Sequence, residues 1–134
     1  SNVFLFDTFG SNDSRNKVVD VFIRRILNRE SITIPSNDIR INLSDVVDVC
    51  TSLSPLTRIP LGDSCIHGPA TLTLLELAKM LSEIIGIEVQ VKFGSNRECY
   101  YSSCKNLPKN IFKSESELTL FESLEKRINE IREA

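Results

Sequence analysis

The residues best placed for chemistry lie in one short segment near the start of the 134-residue chain. Val3 to Phe6 is an unbroken apolar run, which is typical of a strand buried on both faces. The polar residues Asp7, Asn16 and Lys17 follow it, and from Lys17 onward apolar residues recur every three to four positions, so a helix begins there. Ligands of α/β proteins commonly bind at the carboxyl end of a buried strand, beside a helix N-terminus. The segment therefore predicts a binding site between this strand and this helix.

Other residue types that carry chemistry are few. The chain has one histidine, His67, and four cysteines that form no CxxC pair, at positions 50, 65, 99 and 104. Zinc sites usually contain pairs of cysteines or histidines a few residues apart, and disulfide frameworks usually occur in short chains dense in cysteine. We therefore predict structural thiols in a reducing compartment, the cytoplasm, and no metal. His67 follows a short apolar strand, where a structural role is favoured over that of a general base.

Composition excludes several classes of protein. Hydrophobic residues make up 41% and charged residues 25%, as in ordinary globular domains, and the net charge is −2. The chain therefore lacks the excess of positive charge that is typical of nucleic-acid-binding proteins. No apolar run approaches the roughly 20 residues of a membrane helix, and no signal peptide is visible. Composition thus predicts one domain over residues 1–134, with neither nucleic acid nor membrane as a partner.

Strand and helix patterns alternate along the chain, which predicts an α/β fold. Asp7 to Gly10 is expected to end the first strand, and residues 51–62, with two prolines and a glycine, to form a loop. Residues 94–109 show no regular pattern apart from a short strand near Tyr100. The predicted strands are residues 3–6, 31–35, 39–43, 64–66 and 87–93, and the predicted helices begin near Lys17, Ser44, Thr73 and Thr119.

The last two helices have the clearest boundaries. Thr73 and Thr119 are each followed three residues later by a glutamate, the pattern of a capping box, and Gly86 ends the third helix. The final helix is amphipathic. Its predicted buried face is Phe121, Leu124, Ile128 and Ile131, and its predicted exposed residues are Glu125, Lys126, Arg127 and Glu130.

Two other elements have a predicted buried side. Ser44 is expected to be the N-cap of the second helix, with Asp45 and Asp48 in its first turn, where carboxylates stabilise the positive helix end. The residues predicted to face the core are Val46, Val47 and Cys50 on this helix and Ile87, Val89, Val91 and Phe93 on the last strand.

Four segments also resemble one family of enzymes, in the correct order and at similar spacing. They are DTFGSNDSRNKVV (7–19), IRINLSDVVDV (39–49), CIHGPATLTLLELAKMLSEIIG (65–86) and RECYYSSCKNL (97–107). They are similar to segments of the extended short-chain dehydrogenases, the NAD(P)-dependent nucleotide-sugar epimerases, dehydratases and reductases. The resemblance covers the C-terminal, substrate-binding part of such an enzyme. It implies a small mixed α/β domain with elements that complete a Rossmann-type sheet.

The resemblance implies phosphate contacts for two arginines. Arg97 matches the family arginine that grips the pyrophosphate of the substrate. Arg40 matches a second phosphate-binding arginine if two residues are deleted before Asp45. Without that gap Asp38 takes its place, and both alignments stay open.

Further substrate contacts are implied near the first helix and the second strand. Asn16, Lys17 and Val18 match a turn where backbone donors and an amide meet the substrate, and ordinary N-capping is the alternative. Pro35 and Ser36 match a strand end that packs on the nucleotide base, and the alternative is that Pro35 simply ends the strand. Asp7 replaces the family's asparagine, so its carboxylate should meet sugar hydroxyls and not phosphates. The residues assigned to substrate are thus Asp7, Asn16, Lys17, Val18, Pro35, Ser36, Arg40 and Arg97.

The family's cofactor and catalytic elements belong to its other half. No GxxGxxG loop occurs among the five glycines of the chain. Tyr100 and Tyr101 lie in a segment without a predicted helix, so neither is assigned as the catalytic tyrosine. His67-Gly68-Pro69 replaces the family's Gly-Ser-Gly. We expect NAD or NADP to bind an N-terminal domain, and this chain to bind no cofactor and to be inactive alone.

The resemblance therefore predicts a domain that binds a nucleotide-diphosphate sugar for an epimerase, dehydratase or reductase. The alternative is a non-catalytic oligomerisation or interaction module derived from the same family. Val3 to Phe6 carries no lysine, proline or bulge to block edge pairing, so a homodimer through this strand is also expected.

Overall fold

The computed structural model describes residues 3–36, 38–56, 64–68, 70–94, 110–113 and 118–134. Strands and helices are interspersed in these residues, which confirms the predicted small α/β fold. The strands are β1 (Val3–Leu5), β2 (Asp7–Phe9), β3 (Ile32–Ile34), β4 (Arg40–Asp45), β5 (Ser64–His67), β6 (Ala70–Thr73), β7 (Val91–Phe93) and β8 (Asn110–Lys113). The helices are α1 (Val18–Leu27), α2 (Val46–Leu56), α3 (Leu74–Ile85) and α4 (Leu120–Glu133).

The described strands form three small sheets. One is parallel, in the order β1-β5-β8. In the second, β4 lies between β2, to which it is parallel, and β6, to which it is antiparallel. The third is the parallel pair β3-β7. Parallel pairing joins strands that are distant in the chain, so the fold depends largely on long-range contacts.

The predicted extent of the first strand is wrong. β1 ends at Leu5, and Asp7 to Phe9, which was expected to end that strand, forms β2 in a different sheet. The prediction that β1 is buried on both faces also fails, because Leu5 is 44% exposed. Among the described strands β1 has a neighbour on one side only, β5. The chain therefore changes sheets at Phe6.

The core lies between the helices and the second and third sheets. Helix α1 packs on α3, and α3 packs on α4. Phe22 and Ile23 of α1, Leu77 and Leu81 of α3 and Leu124 of α4 are fully buried. Burial of each such side chain stabilises the fold by about 1.5 to 3 kcal/mol. The amphipathic patterns of these helices thus place their apolar faces in the core.

The predicted capping boxes are both present. The Thr73 hydroxyl accepts the N–H of Glu76, and the Thr119 hydroxyl accepts the N–H of Glu122, each at 3.1 Å. Gly86 ends α3 in the left-handed conformation, with φ of 81°, which glycine adopts without the steric cost of a Cβ. These helix boundaries follow from short-range signals alone.

Helix α2 differs from its prediction at both ends. Ser44 is not the N-cap: it is a buried residue of β4, and Asp45 accepts the N–H of Val47 at 2.9 Å instead. The helix continues to Leu56, six residues into the segment 51–62 that was predicted as a loop. The apolar side is also different. Val46, Val47 and Cys50 are exposed, and Val49 is the buried residue.

The C-terminal strands also depart from prediction. β7 covers only Val91 to Phe93, and Phe93, predicted to face the core, is 59% exposed. On α4, Phe121 is 42% exposed. Strands β6 and β8 were not predicted, because each is four residues long and pairs with a strand far away in sequence. The expected strand near Tyr100 lies outside the described residues.

A buried asparagine of β4 holds the turn between β5 and β6. The Asn42 side chain accepts the N–H of Gly68 at 2.6 Å and donates to the carbonyl oxygens of Gly68 and Ala70 at 3.1 and 3.0 Å. Gly68 lies so close to β4 that an added Cβ would collide with the Leu43 carbonyl oxygen and the Ser44 hydroxyl. Asn42 therefore links the first sheet to the second.

Replacing Gly68 with alanine should lower the free energy of unfolding by about 1 to 2 kcal/mol, because an extra methyl forces the surrounding backbone to shift. Gly94→Ala is the matched control, since its Cβ would meet only the Thr33 methyl at 3.7 Å. Urea denaturation measures both variants. Equal unfolding midpoints would show that the approach of Gly68 to β4 is not tight.

Candidate functional site

The centre of the candidate site is a charge pair between the start of β2 and the start of α1. Asp7 is 2% exposed, and the Lys17 ammonium lies 3.4 Å from its Oδ1 atom. Lys17 is the N-cap residue of α1, in an extended conformation and without a side-chain cap bond. A buried carboxylate requires such a partner, because an unpaired charge is costly away from water. The predicted strand-to-helix site thus contains one buried anion and one half-buried cation in contact.

The loop before α1 is shaped by Arg15, a residue that sequence reasoning did not assign. Its guanidinium donates to both carboxylate oxygens of Asp13 at 2.9 Å, and to the hydroxyl of Thr8 at 3.1 Å. These bonds hold the pKa of the Asp13 carboxyl below its usual value. The aspartate and arginine two residues apart were visible in the sequence, and their spacing could have suggested the contact. Because Arg15 is exposed, the pair organises the loop more than it stabilises the fold.

Two neighbours of Lys17 take different positions. Asn16 is exposed, and Val18 is 1% exposed with its side chain in the core. Val18 can therefore meet a ligand only through its backbone. The first N–H groups of any helix have no intrahelical acceptor, so the head of α1 presents donors at this point.

Pro35 and Ser36 lie together at the carboxyl end of β3. Pro35 is exposed, and the Ser36 hydroxyl accepts the N–H of Asp38 at 3.2 Å. The ladder between β3 and β7 pairs Ile34 with Phe93, so an exposed aromatic ring belongs to the same sheet end. The exposed Pro35 and Phe93 thus lie at the same end of this sheet.

Arg40 is not next to the charge pair. It is the exposed first residue of β4, opposite Thr73, whereas Leu43 is the residue opposite Asp7. Three residues along a strand correspond to about 10 Å. The structure thus joins Asp7 to Lys17 and leaves Arg40 at a distance. Arg97 lies outside the described residues.

A second buried charge pair connects α1 to α4, and it corrects the prediction that Arg127 is in water. Asp20 is 2% exposed and Arg127 is 7% exposed. The Arg127 Nε and Nη2 atoms donate to the two Asp20 carboxylate oxygens at 3.0 and 2.8 Å. These bonds raise the pKa of Arg127 above its already high value. The partner is 107 residues away, so no local pattern reveals it.

Beside this pair a cleft of about 630 Å³ separates the loop after β2 from α4. It is lined by residues of the loop, of α1 and of α4, most of them charged or polar. The lining residues are Ser11, Asn12, Arg24, Arg127, Glu130, Ile131 and Ala134.

Solved enzymes share this arrangement of strands and helices. The UDP-glucose 4-epimerase of Thermus thermophilus, in complex with NAD, matches 98% of this chain and 46% of its own with a TM-score of 0.73 at 15% identity. The UDP-glucose 4-epimerase of Thermotoga maritima, with UDP-glucose, matches 98% and 45% with a TM-score of 0.67 at 20% identity. The UDP-glucuronic acid 4-epimerase of Bacillus cereus, with UDP-glucuronic acid and NAD, matches 98% and 44% with a TM-score of 0.73 at 16% identity.

The chain has the fold of part of a nucleotide-sugar epimerase. This confirms, for the fold, the resemblance drawn from the sequence. The chain spans less than half the length of these epimerases. Neither a protein-family model nor a curated protein matches it by sequence.

Within this epimerase fold, the remaining reactive residues have modest surroundings. His67 is half-buried and packs edge-on against Phe6, with ring centroids 5.6 Å apart. Cys65 is a buried free thiol whose pKa is raised by burial. Tyr101 and Lys105 have the Tyr-x-x-x-Lys spacing but lie outside the described residues, as do the cysteines at positions 99 and 104.

Two kinds of feature are not found where the structure describes the chain. No described group of three histidine, cysteine or acidic side chains could hold a metal ion. In the same residues, none of the helices is both long and apolar enough to cross a bilayer.

Proposed function

We propose that residues 1–134 form the domain that binds the nucleotide-diphosphate sugar in an NAD- or NADP-dependent extended short-chain dehydrogenase. The match of 98% of the chain to epimerases solved with UDP-glucose or UDP-glucuronic acid supports this proposal. The observation that carries it is the Asp7–Lys17 pair. It places a carboxylate and an ammonium at a strand-to-helix junction, where α/β proteins bind anionic ligands.

Each residue near the junction has a task in this proposal. The Lys17 ammonium and the first N–H groups of α1, including that of Val18, attract negative oxygens of the ligand. Asn16 is exposed and supplies an amide donor and acceptor. Asp7 is 2% exposed and acts through Lys17, whose ammonium it holds beside the first turn of α1.

The other assigned residues hold the nucleotide end of the ligand. Pro35 and Ser36 pack on the base at the exposed end of β3. Arg40 and Arg97 pair with the phosphates, because a guanidinium binds phosphate oxygens in two places at once. Arg40 lies about 10 Å along β4 from the level of Asp7, a separation that an extended nucleotide-diphosphate sugar spans.

The cofactor is proposed for another part of the enzyme. The glycines of this chain do not fit a dinucleotide, since none has the GxxGxxG spacing that lets a backbone approach a pyrophosphate. NAD or NADP would exchange a hydride with the sugar. The residues of this chain would hold that sugar in position. Holding reactants in the correct geometry contributes much of the rate of such a reaction. This chain alone is expected to be inactive.

Isothermal titration calorimetry on the 134-residue chain tests the proposal. UDP-glucose should bind in the micromolar to submillimolar range, and NAD should show no saturable binding. Lys17→Gln should weaken UDP-glucose binding about fivefold or more, because a charge-assisted contact is lost. Lys79→Gln, on the exposed side of α3, is the control and should change nothing. Saturable NAD binding without UDP-glucose binding would contradict the proposal, because this chain would then bind the cofactor and not the substrate.

A second candidate function is an oligomerisation or interaction module derived from the same family. The exposed Leu5 favours this function, because β1 has a neighbour on one side only among the described strands and can pair with a second molecule. A homodimer through this strand is expected in that case. Either function suits the cytoplasm, where the free thiols of Cys50 and Cys65 stay reduced. Binding of UDP-glucose separates the two, because an interaction module needs no nucleotide.

A further inference from the structure

Two residues of the segment between β2 and α1 are each held by a neighbouring residue of β2. The Arg15 Nη2 atom donates to the Thr8 hydroxyl at 3.1 Å, and the Lys17 ammonium lies 3.4 Å from the Asp7 carboxylate. Side chains of successive strand residues point to opposite faces of a sheet, and accordingly Asp7 is buried whereas Thr8 is half-buried. The segment therefore holds β2 from both sides, with Arg15 on one side and Lys17 on the other.

The Arg15 guanidinium is itself held in one orientation. Its Nε and Nη2 atoms donate to the two carboxylate oxygens of Asp13 at 2.9 Å, and the backbone N–H of Arg15 donates to the same carboxylate at 3.0 Å. Most exposed ion pairs contribute little, but a bidentate arginine–carboxylate pair fixes the plane of the guanidinium. Residues 13–15 thus form one unit, and the bond to Thr8 joins this unit to β2.

This unit also carries the backbone that leads to Lys17. The Lys17 N–H donates to the carbonyl oxygen of Arg15 at 3.0 Å, so a turn of the backbone connects residue 15 directly to the N-cap residue of α1. The Lys17 side chain makes no cap bond, and its contact with Asp7 at 3.4 Å is long for a charge-assisted hydrogen bond. The position of the ammonium therefore depends on where residue 15 lies.

We propose that Arg15 is a positioning residue for the candidate site: by joining Asp13 to Thr8 it holds the backbone turn of residues 15–17, and so keeps the Lys17 ammonium beside Asp7. This inference rests on the proposed function, in which Lys17 attracts the negative oxygens of a nucleotide-diphosphate sugar. Arg15 needs no contact with the ligand for this role, because it acts through Lys17.

Labelling of lysines with an amine-reactive ester, followed by peptide mass spectrometry, tests the position of Lys17 without any ligand. Thr8→Val removes the hydroxyl that Arg15 binds, keeps a β-branched side chain and changes no charge. Lys17, whose side chain is 23% exposed, should react about fivefold faster in this variant, which corresponds to the loss of one ordinary hydrogen bond. Thr8→Ser keeps the hydroxyl and should retain the slow reaction. Lys79, exposed on α3, is the internal reference and should react equally in every variant.

Two more variants complete the labelling experiment. Ser14→Ala is the matched control, because Ser14 is an exposed residue of the same loop, and it should leave the labelling of Lys17 unchanged. Arg15→Met should speed labelling as Thr8→Val does, and it decides the question if thermal midpoints show that Thr8→Val unfolds the chain. Unchanged labelling of Lys17 in folded Thr8→Val would overturn the inference whether or not UDP-glucose binds.

A double-mutant cycle in UDP-glucose binding, measured by calorimetry, tests the consequence for the site. Thr8→Val alone should weaken binding about fivefold. In a chain that already carries Lys17→Gln it should cause no further loss, because the residue through which Arg15 acts has been removed. Equal losses in both backgrounds would overturn the inference, and so would an unaltered affinity of Thr8→Val alone. If the unmodified chain binds no UDP-glucose, the proposed function fails, and the labelling of Lys17 alone decides whether Arg15 positions it.

Discussion

Replacing Arg127 with methionine should lower the free energy of unfolding by about 3 to 5 kcal/mol, because one partner of a buried ion pair is removed and the other is left in the core. Asp20 would keep Arg24 at 3.9 Å, but Arg24 is half-exposed and screened by water. Against a total stability of about 5 to 15 kcal/mol for a native domain, such a loss is large. Urea denaturation followed by circular dichroism measures it.

Two further variants separate the buried charge from the packing of the side chain. Arg24→Met removes an exposed arginine from the same cluster and should cost no more than about 1 kcal/mol. The double variant Asp20→Leu, Arg127→Met removes both charges and should recover most of the loss, since an apolar pair of similar volume avoids desolvation. A small effect of Arg127→Met alone would mean that water reaches Asp20.

The 134-residue chain should self-associate through β1, and Leu5→Lys should weaken that association about 30-fold or more. Leu5 is 44% exposed on a strand that has one described neighbour. Covering about half of a leucine contributes about 1 kcal/mol, and a symmetric dimer covers two. The sum of about 2 kcal/mol corresponds to about 30-fold in the dissociation constant, before repulsion between the introduced lysines.

Sedimentation equilibrium over a range of concentrations measures this change. Leu118→Lys is the control, because Leu118 is similarly exposed, at 40%, but lies just before α4 and belongs to no described strand. An unmodified chain that stays monomeric at high concentration would show that β1 is covered. Equal weakening by both variants would show that association is not through the strand.

Features set by neighbouring residues could be predicted from the sequence. The capping boxes at Thr73 and Thr119 and the stop at Gly86 each involve residues within one turn, so the pattern and the structure coincide. Asp7 and Lys17 lie ten residues apart, on either side of β2 and the loop that follows it, and the structure brings their side chains within 3.4 Å. The binding of a substrate at these two residues stays a prediction.

Features set by distant residues could not be predicted from the sequence. β2 exists because Asp7 to Phe9 meets β4, whose paired residues are 36 positions later, and three residues carry no strand signal of their own. Arg127 occupies a helical position that reads as exposed, and its pairing with Asp20, from the other end of the chain, makes its burial favourable. Ser44 looked like a helix cap because its hydroxyl has that chemistry, although pairing with Thr8 keeps it in a strand.

The contact of Asn42 with the turn at Gly68 has a consequence for how the protein can vary by mutation. The Asn42 carboxamide uses both its oxygen and its nitrogen, one to accept and one to donate, within a buried space that matches its length. No one-base change of an asparagine codon produces another carboxamide. Aspartate, serine and threonine, which are within one step, lack the paired NH2 and C=O groups, and glutamine is two steps away and longer. No substitution of Asn42 that a single base change can produce therefore keeps both hydrogen bonds between the two sheets.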